Sequence, residues 1–376
     1  MQRPWELPAY AEPGHAVPLG GGRWRGPRAL DDRCTELLAE RGIRPAGKLA
    51  DRSAAWWIPK EALVAPAPAA DGDPLDPEWR AAWIAARIAA GVAAWQEAPP
   101  APRMLGILNL TPDSFSDGGA LLDPGGALDA EALRAASARL ADEGAGMLDL
   151  GAESTRPGAS PVADPEQLAV LLPAIEALAD GPLPLSVDTR SAAVAEACLA
   201  AGASWVNDVS GFADPAMAPL LARTGASAVL MHMRGTPQDM RDHARYRFLM
   251  GEVADELAAA AARALLAGVA PTALVLDPGI GFAKDALQST VLVASGGALR
   301  ALGYPLMFGP SRKSYLVATA DASPDDPQAR DRATVEAAAT CGGQGAAWLR
   351  LHRGGPALEA ARAAHAASFG SRGVAV

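Results

Sequence analysis

Residues 104–119 read Met-Leu-Gly-Ile-Leu-Asn-Leu-Thr-Pro-Asp-Ser-Phe-Ser-Asp-Gly-Gly. The apolar run 104–108 predicts a buried β-strand, which ends at Asn109 and passes into a loop rich in carboxylate and hydroxyl side chains. A strand that delivers polar groups into a loop is typical of a ligand-binding edge. The composition of this loop therefore predicts chemistry at the carboxyl end of the strand.

The same arrangement, an apolar run that ends in a polar group, occurs eight times along the chain. After 104–109 the runs are 146–149, 184–188, 204–208, 228–232, 274–277, 305–309 and 348–352. Alanine-rich stretches between them suit helices, because alanine loses no side-chain entropy there; the clearest are 130–143, 191–201, 213–224, 251–267 and 331–345. This alternation predicts an α/β fold, a closed (β/α)8 TIM barrel with its active site at the carboxyl ends of the strands. An open doubly wound sheet is the alternative, since eight strands also fit that fold.

The N-terminal part of the chain differs from the rest. With 376 residues, the chain exceeds the roughly 250 residues of a typical barrel, and we expect an N-terminal extension over residues 1–100 and the barrel over 101–372. Large aromatic side chains bury much area, so the tryptophan density of the extension predicts a partly folded appendage packed on the barrel, with a helix over 78–96. Its tryptophans are Trp5, Trp24, Trp56, Trp57, Trp79, Trp83 and Trp95.

Charge and cysteine content exclude several classes of protein. The formal net charge of -10 and the pI near 5.1 argue against a nucleic-acid or anionic-membrane partner, so an anionic substrate requires a local positive pocket. Cys34, Cys198 and Cys341 are far apart, which predicts neither a disulfide framework nor a zinc site. The first residues lack the pattern of a secretion signal, and no long uncharged apolar run occurs. We expect a cytoplasmic protein with no membrane partner.

Several long and rare motifs in the barrel resemble those of dihydropteroate synthases, which join a pterin to p-aminobenzoate in folate biosynthesis. Asp-Leu-Gly-Ala-Glu-Ser-Thr-Arg-Pro-Gly at 149–158 and Asp-Pro-Gly-Ile-Gly-Phe at 277–282 are two of them. The other matching passages are 106–119, 186–189, 206–208, 231–235, 311–314 and 350–352. They follow one another in the family's order between residues 103 and 368, so the resemblance covers the whole predicted barrel.

The resemblance implies a binding site for the pterin ring. The pterin has an edge with adjacent N–H donors, which carboxylate and amide oxygens accept, and a carbonyl and ring nitrogen that need a donor. Family positions assign the donor edge to Asp188, Asn207 and Asp277, and the carbonyl and ring nitrogen to Lys313. Phe282 is expected to pack near the ring, with ordinary core packing as the alternative. For each strand-end aspartate, the alternative is the capping of the next helix.

The resemblance also implies a site for pyrophosphate, the leaving group. Arg350 and His352 end the eighth strand, and phosphate sites of barrels commonly lie near strands seven and eight. Asn109 matches the family's magnesium-associated residue, with Asp117 assisting, and Mg²⁺ prefers few protein oxygens together with phosphate and water. For His352 the alternative is a core histidine bonded to backbone. His232 is expected to hold structure by bonding a neighbouring strand end.

The arylamine site is implied by a third group of family positions. Thr155, Arg156 and Ser311 match residues that line the p-aminobenzoate site, with Ser311 expected to meet the carboxylate at a helix N-terminus. Pro112 and Phe115 offer the aromatic ring an apolar wall. The lysine and glycines of 279–284 form neither a Walker motif nor a Rossmann fingerprint, and we interpret the glycines as turn formers.

Three residues depart from the family pattern. The family usually has glycine at Ala283, phenylalanine at Tyr315 and an acidic residue at Arg353. None of these changes removes a residue expected to contact substrate. Arg353 changes the charge beside the predicted anion site and is expected to alter the affinity for pyrophosphate, in either direction.

The activity implied by the resemblance is the condensation of 6-hydroxymethyl-7,8-dihydropterin pyrophosphate with p-aminobenzoate by a homodimeric transferase. The residues expected to take part in catalysis are Asn109, Asp117, Lys313, Arg350 and His352. A pterin-binding methyltransferase is one alternative, although it has no need for the 109–119 loop or the 311–314 motif. A noncatalytic paralogue that serves as a scaffold is another, although no residue expected to contact substrate has been lost.

Overall fold

The structure of the chain is a computed structural model. The structure describes residues 98–111, 121–123, 127–247, 249–313, 315–316 and 327–370, together with the backbone of four short strands between residues 17 and 57. The predicted helix over 78–96 lies outside the described residues. The same is true of most of the 109–119 loop, including Pro112, Phe115 and Asp117.

Four short strands of the N-terminal extension form an antiparallel sheet in the order β1-β2-β4-β3. They are β1 (Val17–Gly20), β2 (Arg23–Arg25), β3 (Arg44–Lys48) and β4 (Ala54–Trp57). Trp24 pairs with Trp56 in this sheet. The sequence had predicted only a partly folded appendage, because strands of three to five residues between proline and glycine clusters carry little periodic signal.

Eight parallel strands follow and form the barrel, in the spatial order β10-β9-β8-β7-β6-β5-β12-β11. They are β5 (Arg103–Asn109), β6 (Ala145–Gly151), β7 (Leu185–Asp188), β8 (Trp205–Asp208), β9 (Ser227–Met231), β10 (Leu274–Asp277), β11 (Met307–Phe308) and β12 (Trp348–Leu351). A parallel bridge between Leu276 and Leu306 joins the two ends of this order, with the Leu276 N–H donating to the Pro305 carbonyl at 3.0 Å. The sheet is therefore nearly closed, which confirms the TIM barrel and rejects the open sheet.

Helices alternate with the strands. They are α1 (Ala130–Asp142), α2 (Asp164–Leu178), α3 (Ala192–Ala200), α4 (Met217–Thr224), α5 (Leu249–Leu266), α6 (Ala286–Ser295), α7 (Pro327–Gly343) and α8 (Pro356–Phe369), with 3-10 turns at Met240–His243, Pro271–Ala273 and Gly296–Leu302. Local side chains fix several helix starts, because they satisfy backbone N–H groups that the helix leaves unpaired. Asp129 caps α1 and Ser191 caps α3, while Asp285 and Gln288 form a capping box at α6. Among the described residues, no helix combines the length and the apolar composition needed to cross a membrane.

Strand side chains alternate between two environments, because successive residues of a strand point to opposite faces. The outward-facing residues, such as Leu148, Val187 and Leu276, pack with the buried faces of the helices in the main core. Near the amino ends of the strands, inward-facing apolar side chains fill the barrel. We call this set the floor: Leu105, Met147, Trp205, Val229, Val275, Met307, Ala347 and Trp348. Inward-facing residues nearer the carboxyl ends are therefore available for a binding site above a packed base.

The segment that enters the barrel is tied to its last helix. The His365 ring bonds to the Pro99 carbonyl at 2.9 Å, and the Arg362 guanidinium donates to the Pro102 carbonyl at 3.1 Å. Residues 99–102 thus run along α8 before β5 begins at Arg103. The assignment of residues 1–100 to a separate extension and 101–372 to the barrel stays a prediction.

Candidate active site

A layer of polar side chains lies directly above the floor. Asp149, Asn207, Asp277 and Arg350 each follow a floor residue by two positions on the same strand, so they point into the same barrel interior. Asp149, Asn207 and Asp277 are at most 3% exposed. We call these four residues, with Ser186 and Asp188 from β7, the polar layer. Four of these six residues were predicted as site residues from the sequence: Asp188, Asn207, Asp277 and Arg350.

Asp149 is the centre of the hydrogen bonds in the polar layer. Its Oδ1 accepts the Ser186 hydroxyl at 2.7 Å, and its Oδ2 accepts the Asn207 amide nitrogen at 2.9 Å and Arg350 Nε at 2.7 Å. Asp149 belongs to a motif recognised in the sequence but received no role there. Its partners lie 37, 58 and 201 residues away along the chain, so only the fold brings them together.

Asp188 shares the Arg350 guanidinium with Asp149. A terminal nitrogen of Arg350 donates to Asp188 Oδ2 at 2.7 Å, so one arginine bridges two buried carboxylates. Burial raises the pKa of Asp188, and the Arg350 charge opposes that rise. Arg350, predicted for the pyrophosphate site, therefore also contacts a residue predicted for the pterin site. Among the described residues, none accepts a bond from its other terminal nitrogen.

Asp277 and Lys313 carry a second pair of opposite charges in the site. Asp277 Oδ1 accepts the Gly279 N–H at 2.7 Å, and burial raises the pKa of this carboxyl to about 6. Gly279 has a φ of +70°, and a side chain at this position would overlap the carbonyl oxygen of His232, so glycine is required. Burial lowers the pKa of Lys313, and the Asp277 charge opposes that effect.

Phe282 lies against Lys313. The Lys313 ammonium is 4.1 Å from the centre of the Phe282 ring, within the range of a cation–π contact. The Phe282 side chain is buried and packs in a small apolar cluster with Val209, Met231 and Met240. The ring therefore steadies the predicted pterin-binding lysine and also belongs to the core.

His352 and Ser311 are joined at the end of the eighth strand. The Ser311 hydroxyl oxygen accepts the backbone N–H of His352 at 3.2 Å, and it also lies 2.9 Å from the ring nitrogen Nδ1 of His352. We assign the hydroxyl proton to the bond with Nδ1, which leaves the proton of the imidazole on Nε2, where it can be donated to a ligand. Burial, followed by the positive charges of Arg312, Arg350, Lys313 and Arg156, lowers the pKa of His352 to about 3. His352 is thus a neutral donor in a local positive field, within a protein of net negative charge.

His232 belongs to a supporting network behind the Asp277 turn. The Lys284 ammonium donates to His232 Nδ1 at 2.9 Å and to the Phe282 carbonyl at 2.8 Å, and His232 Nε2 bonds to Glu256 at 3.0 Å. The backbone N–H of His232 also donates to the backbone carbonyl of Asp277 at 2.9 Å. Burial lowers the pKa of Lys284 to about 7. These contacts give His232 the structural role predicted for it.

The remaining predicted residues are only partly placed. Asn109 is the last residue of β5 and is half-buried, Thr155 is half-buried, and Arg156 is exposed. Ser311, predicted for the arylamine, is buried and bonded to His352. The described ranges contain no group of three histidine, cysteine, aspartate or glutamate side chains that could hold a metal ion.

The three departures from the family pattern have distinct surroundings. Ala283 has a φ of +49°, in the left-handed region that favours glycine. Tyr315 is 6% exposed, and its hydroxyl has no hydrogen-bond partner among the described residues. Arg353 donates to Glu143 at 2.7 Å, and its side chain is 57% exposed. The charge of Arg353 is therefore held by Glu143, at the end of α1.

Together these features define a barrel enzyme with two adjoining subsites. One subsite presents carboxylate and amide oxygens opposite a lysine, which suits a flat heterocycle with donors on one edge and acceptors on another. The other brings the Arg350 guanidinium and the neutral His352 imidazole together at the end of the eighth strand. Both lie at the carboxyl ends of the strands, where barrel enzymes have their active sites.

Comparison with known proteins identifies the family. Residues 105–352 match the model of the pterin binding enzyme family. The dihydropteroate synthase of Mycobacterium leprae is 42% identical over 255 residues, which cover 66% of this chain and 88% of that protein. The chain belongs to the pterin-binding enzyme family, among the dihydropteroate synthases.

Two solved structures extend the comparison to the fold. Dihydropteroate synthase from Yersinia pestis, in complex with a sulfonamide drug, has a TM-score of 0.65 and 36% identity, covering 71% of this chain and 94% of that one. The Thermus thermophilus enzyme, in complex with 4-aminobenzoate, has a TM-score of 0.58 and 41% identity, covering 72% and 93%. The family match begins at residue 105, so the N-terminal extension lies outside it.

Proposed function

We propose that this protein condenses 6-hydroxymethyl-7,8-dihydropterin pyrophosphate with p-aminobenzoate to give 7,8-dihydropteroate and pyrophosphate. The observation that carries the proposal is the convergence of Asp188, Asn207 and Asp277 on one buried pocket with Lys313 beside it. This set of acceptors and one donor matches the edges of a pterin. The similarity to dihydropteroate synthases supports the same reaction.

The pterin would bind with its donor edge toward the oxygens of the polar layer and its carbonyl toward Lys313. A buried site of this kind selects strongly, because an analogue that lacks a donor leaves a buried acceptor unpaired. The floor below the site is fully packed with apolar side chains, so the ring cannot sink further into the barrel.

In the reaction the bond between the pterin methylene carbon and the pyrophosphate oxygen breaks, and a bond from that carbon to the arylamine nitrogen forms. The leaving pyrophosphate takes the electron pair, and the arylamine nitrogen loses a proton after attack. His352 would donate from Nε2 and Arg350 from its free terminal nitrogen to the departing anion. Donors that are fixed before charge develops stabilise a transition state without reorganisation, and we assign most of the rate enhancement to this effect and to alignment of the substrates.

Magnesium is part of the proposal. Asn109 is half-buried at the carboxyl end of β5, and among the described residues none bonds to its side chain. One amide oxygen suits Mg²⁺ that is held jointly with substrate phosphates and water, whereas it does not suit a site built from protein ligands alone. When bound, Mg²⁺ would supply charge neutralisation to the pyrophosphate. Asp117 is the second proposed contributor.

For p-aminobenzoate we propose a site above His352, lined by Thr155, Arg156 and Ser311, with Pro112 and Phe115 from the loop. The Ser311 hydroxyl already bonds to His352, so its backbone N–H is the group proposed to meet the arylamine carboxylate. A homodimer and a cytoplasmic location complete the proposal; they rest on the resemblance and on composition. Light scattering during size-exclusion chromatography tests the dimer.

The experiment that tests the function is an assay of pyrophosphate release with both substrates, with and without Mg²⁺. Release that requires p-aminobenzoate and is lost on chelation supports the proposal. An Arg350→Ala variant should lose affinity for the pterin pyrophosphate far more than for the same pterin without phosphates. Arg353→Ala is the matched control, because it removes a nearby arginine that is bonded to Glu143. Pterin binding without arylamine-dependent release would defeat the synthase assignment.

A further inference from the structure

The side-chain amide of Asn207 can present either an oxygen or an NH2 group to the pterin, and only the oxygen suits the donor edge of the ring. The choice depends on what the amide meets on its other side. Asp149 lies there, with its Oδ2 2.9 Å from the Asn207 amide nitrogen. An amide oxygen in that place would face a carboxylate oxygen with no hydrogen between them.

The surroundings of Asp149 keep its carboxylate an acceptor. Three donors converge on it: the Ser186 hydroxyl on Oδ1, and the Asn207 amide and Arg350 Nε on Oδ2. Asp149 is fully buried, so no water competes for these bonds. The contact with Arg350 is a charge-assisted hydrogen bond between a guanidinium and a carboxylate. Asp149 thus requires a donor from Asn207.

We infer that Asp149 is a positioning residue, which fixes the Asn207 amide so that its carbonyl oxygen faces the pterin and selects ligands with an amino group on that edge. The inference rests on the proposed pterin site. Among the described residues none donates to Asn207 Oδ1, so this oxygen is available to a ligand. Asp149 also aligns Arg350, whose terminal nitrogen reaches Asp188. One buried carboxylate therefore orders both neighbouring contacts of the pterin edge.

The test compares the affinities of pterin and of its 2-deamino analogue by calorimetry, in the wild type and in three variants. Asp149→Ala removes the acceptor, so the Asn207 amide is free to rotate, and the preference for pterin should fall at least tenfold. Asp149→Asn should keep the preference, because asparagine can turn its oxygen toward Asn207 and Arg350 and its NH2 group toward the Ser186 hydroxyl. Ser186→Ala is the matched control; it removes only the bond to Asp149 Oδ1 and should also keep the preference.

Unchanged preference in a folded Asp149→Ala variant would overturn the inference, as would equal losses in Asp149→Ala and Ser186→Ala. Failure of the wild type to bind pterin at all would instead defeat the proposed function. A further variant covers the case in which Asp149→Ala does not fold. In Asn207→Asp two carboxylates would share one proton, so pterin affinity should weaken with rising pH more steeply than in the wild type. Parallel pH profiles of this variant and the wild type would also overturn the inference.

Discussion

The floor and the polar layer are built from the same strands and face the same barrel interior, yet they are held together in different ways. Met147 and Asp149 are two residues apart on β6, as are Val275 and Asp277 on β10 and Trp348 and Arg350 on β12. The floor side chains need only fill space, because they carry few polar atoms. The polar layer must pair every buried charge and donor with another.

The difference explains where function lies in this barrel. A packed floor tolerates apolar replacement if volume is kept, whereas the polar layer depends on specific partners. The unusual pKa values of Asp277 and Lys313 occur in and beside that layer, because burial there disfavours charge that a ligand can later compensate. Burial of charge is unfavourable in the polar layer, and a polar ring can compensate for it. The polar layer is therefore the part of the barrel that is equipped to bind such a ring.

The largest expected effects come from paired variants on β12. Arg350→Leu leaves Asp149 and Asp188 without their cation and should destabilise the protein by about 3–5 kcal/mol, with loss of binding of the pterin pyrophosphate. Trp348→Ala opens a cavity in the floor and should destabilise by a similar amount, about 3–5 kcal/mol. Chemical denaturation measures both losses of stability, and calorimetry with the pterin pyrophosphate separates the two variants. Under conditions where both proteins are folded, the Trp348 variant should still bind; equal loss of binding would erase the distinction between floor and polar layer.

Sequence reasoning located the barrel and much of the site because those signals are local. Each strand was marked by an apolar run with a polar end, and Asp188, Asn207, Asp277 and Arg350 stood in recognisable motifs. The role of Asp149 was missed because its importance comes from partners on three other strands. The sequence did not clearly predict helix α2, because it contains Pro173, and proline is ordinarily unfavourable inside a helix. The link between Ser311 and His352 likewise spans 41 residues and depends on the pairing of β11 with β12.

Asp208 is a buried carboxyl on the outer face of the sheet, and it can be compared with those of the polar layer. It follows Asn207 on β8 but points away from the pocket; Ser210 donates twice to its Oδ1, and Oδ2 has no partner among the described residues. Burial raises the pKa of Asp208 to about 6, whereas the unfolded chain releases this proton near pH 4. Between about pH 4 and pH 6 the folded state therefore still holds a proton that the unfolded chain has lost. Its contribution to stability should be present below about pH 4 and lost as the pH rises to about 6.

Asp208→Asn removes that titration. The unfolding free energy of the wild type relative to this variant should fall by roughly 2–3 kcal/mol between about pH 4 and pH 7 and then stay level. Comparing the two proteins cancels the opposing contributions of His232 and His352, whose lowered pKa values act in both. Denaturant titrations across this pH range check the result. A constant difference at all pH values would mean that Asp208 is ionised throughout and has a partner for Oδ2.

Tyr315 offers a smaller test of the rule that buried polar groups must be paired. Its hydroxyl is buried without a partner among the described residues, in a core position. Tyr315→Phe should stabilise the protein by about 1 kcal/mol, because it removes a desolvated group and keeps the ring. Thermal unfolding measures the change. A loss of stability would show that the hydroxyl has a partner.

The smallest expected effect belongs to Ala283, beside the Asp277 turn. Its φ of +49° costs an alanine about 1–2 kcal/mol, which glycine avoids. Glycine also makes the unfolded chain more flexible, which offsets about 0.4–1 kcal/mol of that gain. Ala283→Gly should therefore stabilise the protein by about 0.5 kcal/mol, measured by denaturant titration. The matched control is Ala195→Gly, at a buried position inside α3, where the same replacement should destabilise by about 1 kcal/mol. Opposite signs for one chemical change would show that backbone conformation decides the outcome; destabilisation at both positions would mean that the Ala283 methyl group contributes more through packing than its backbone costs.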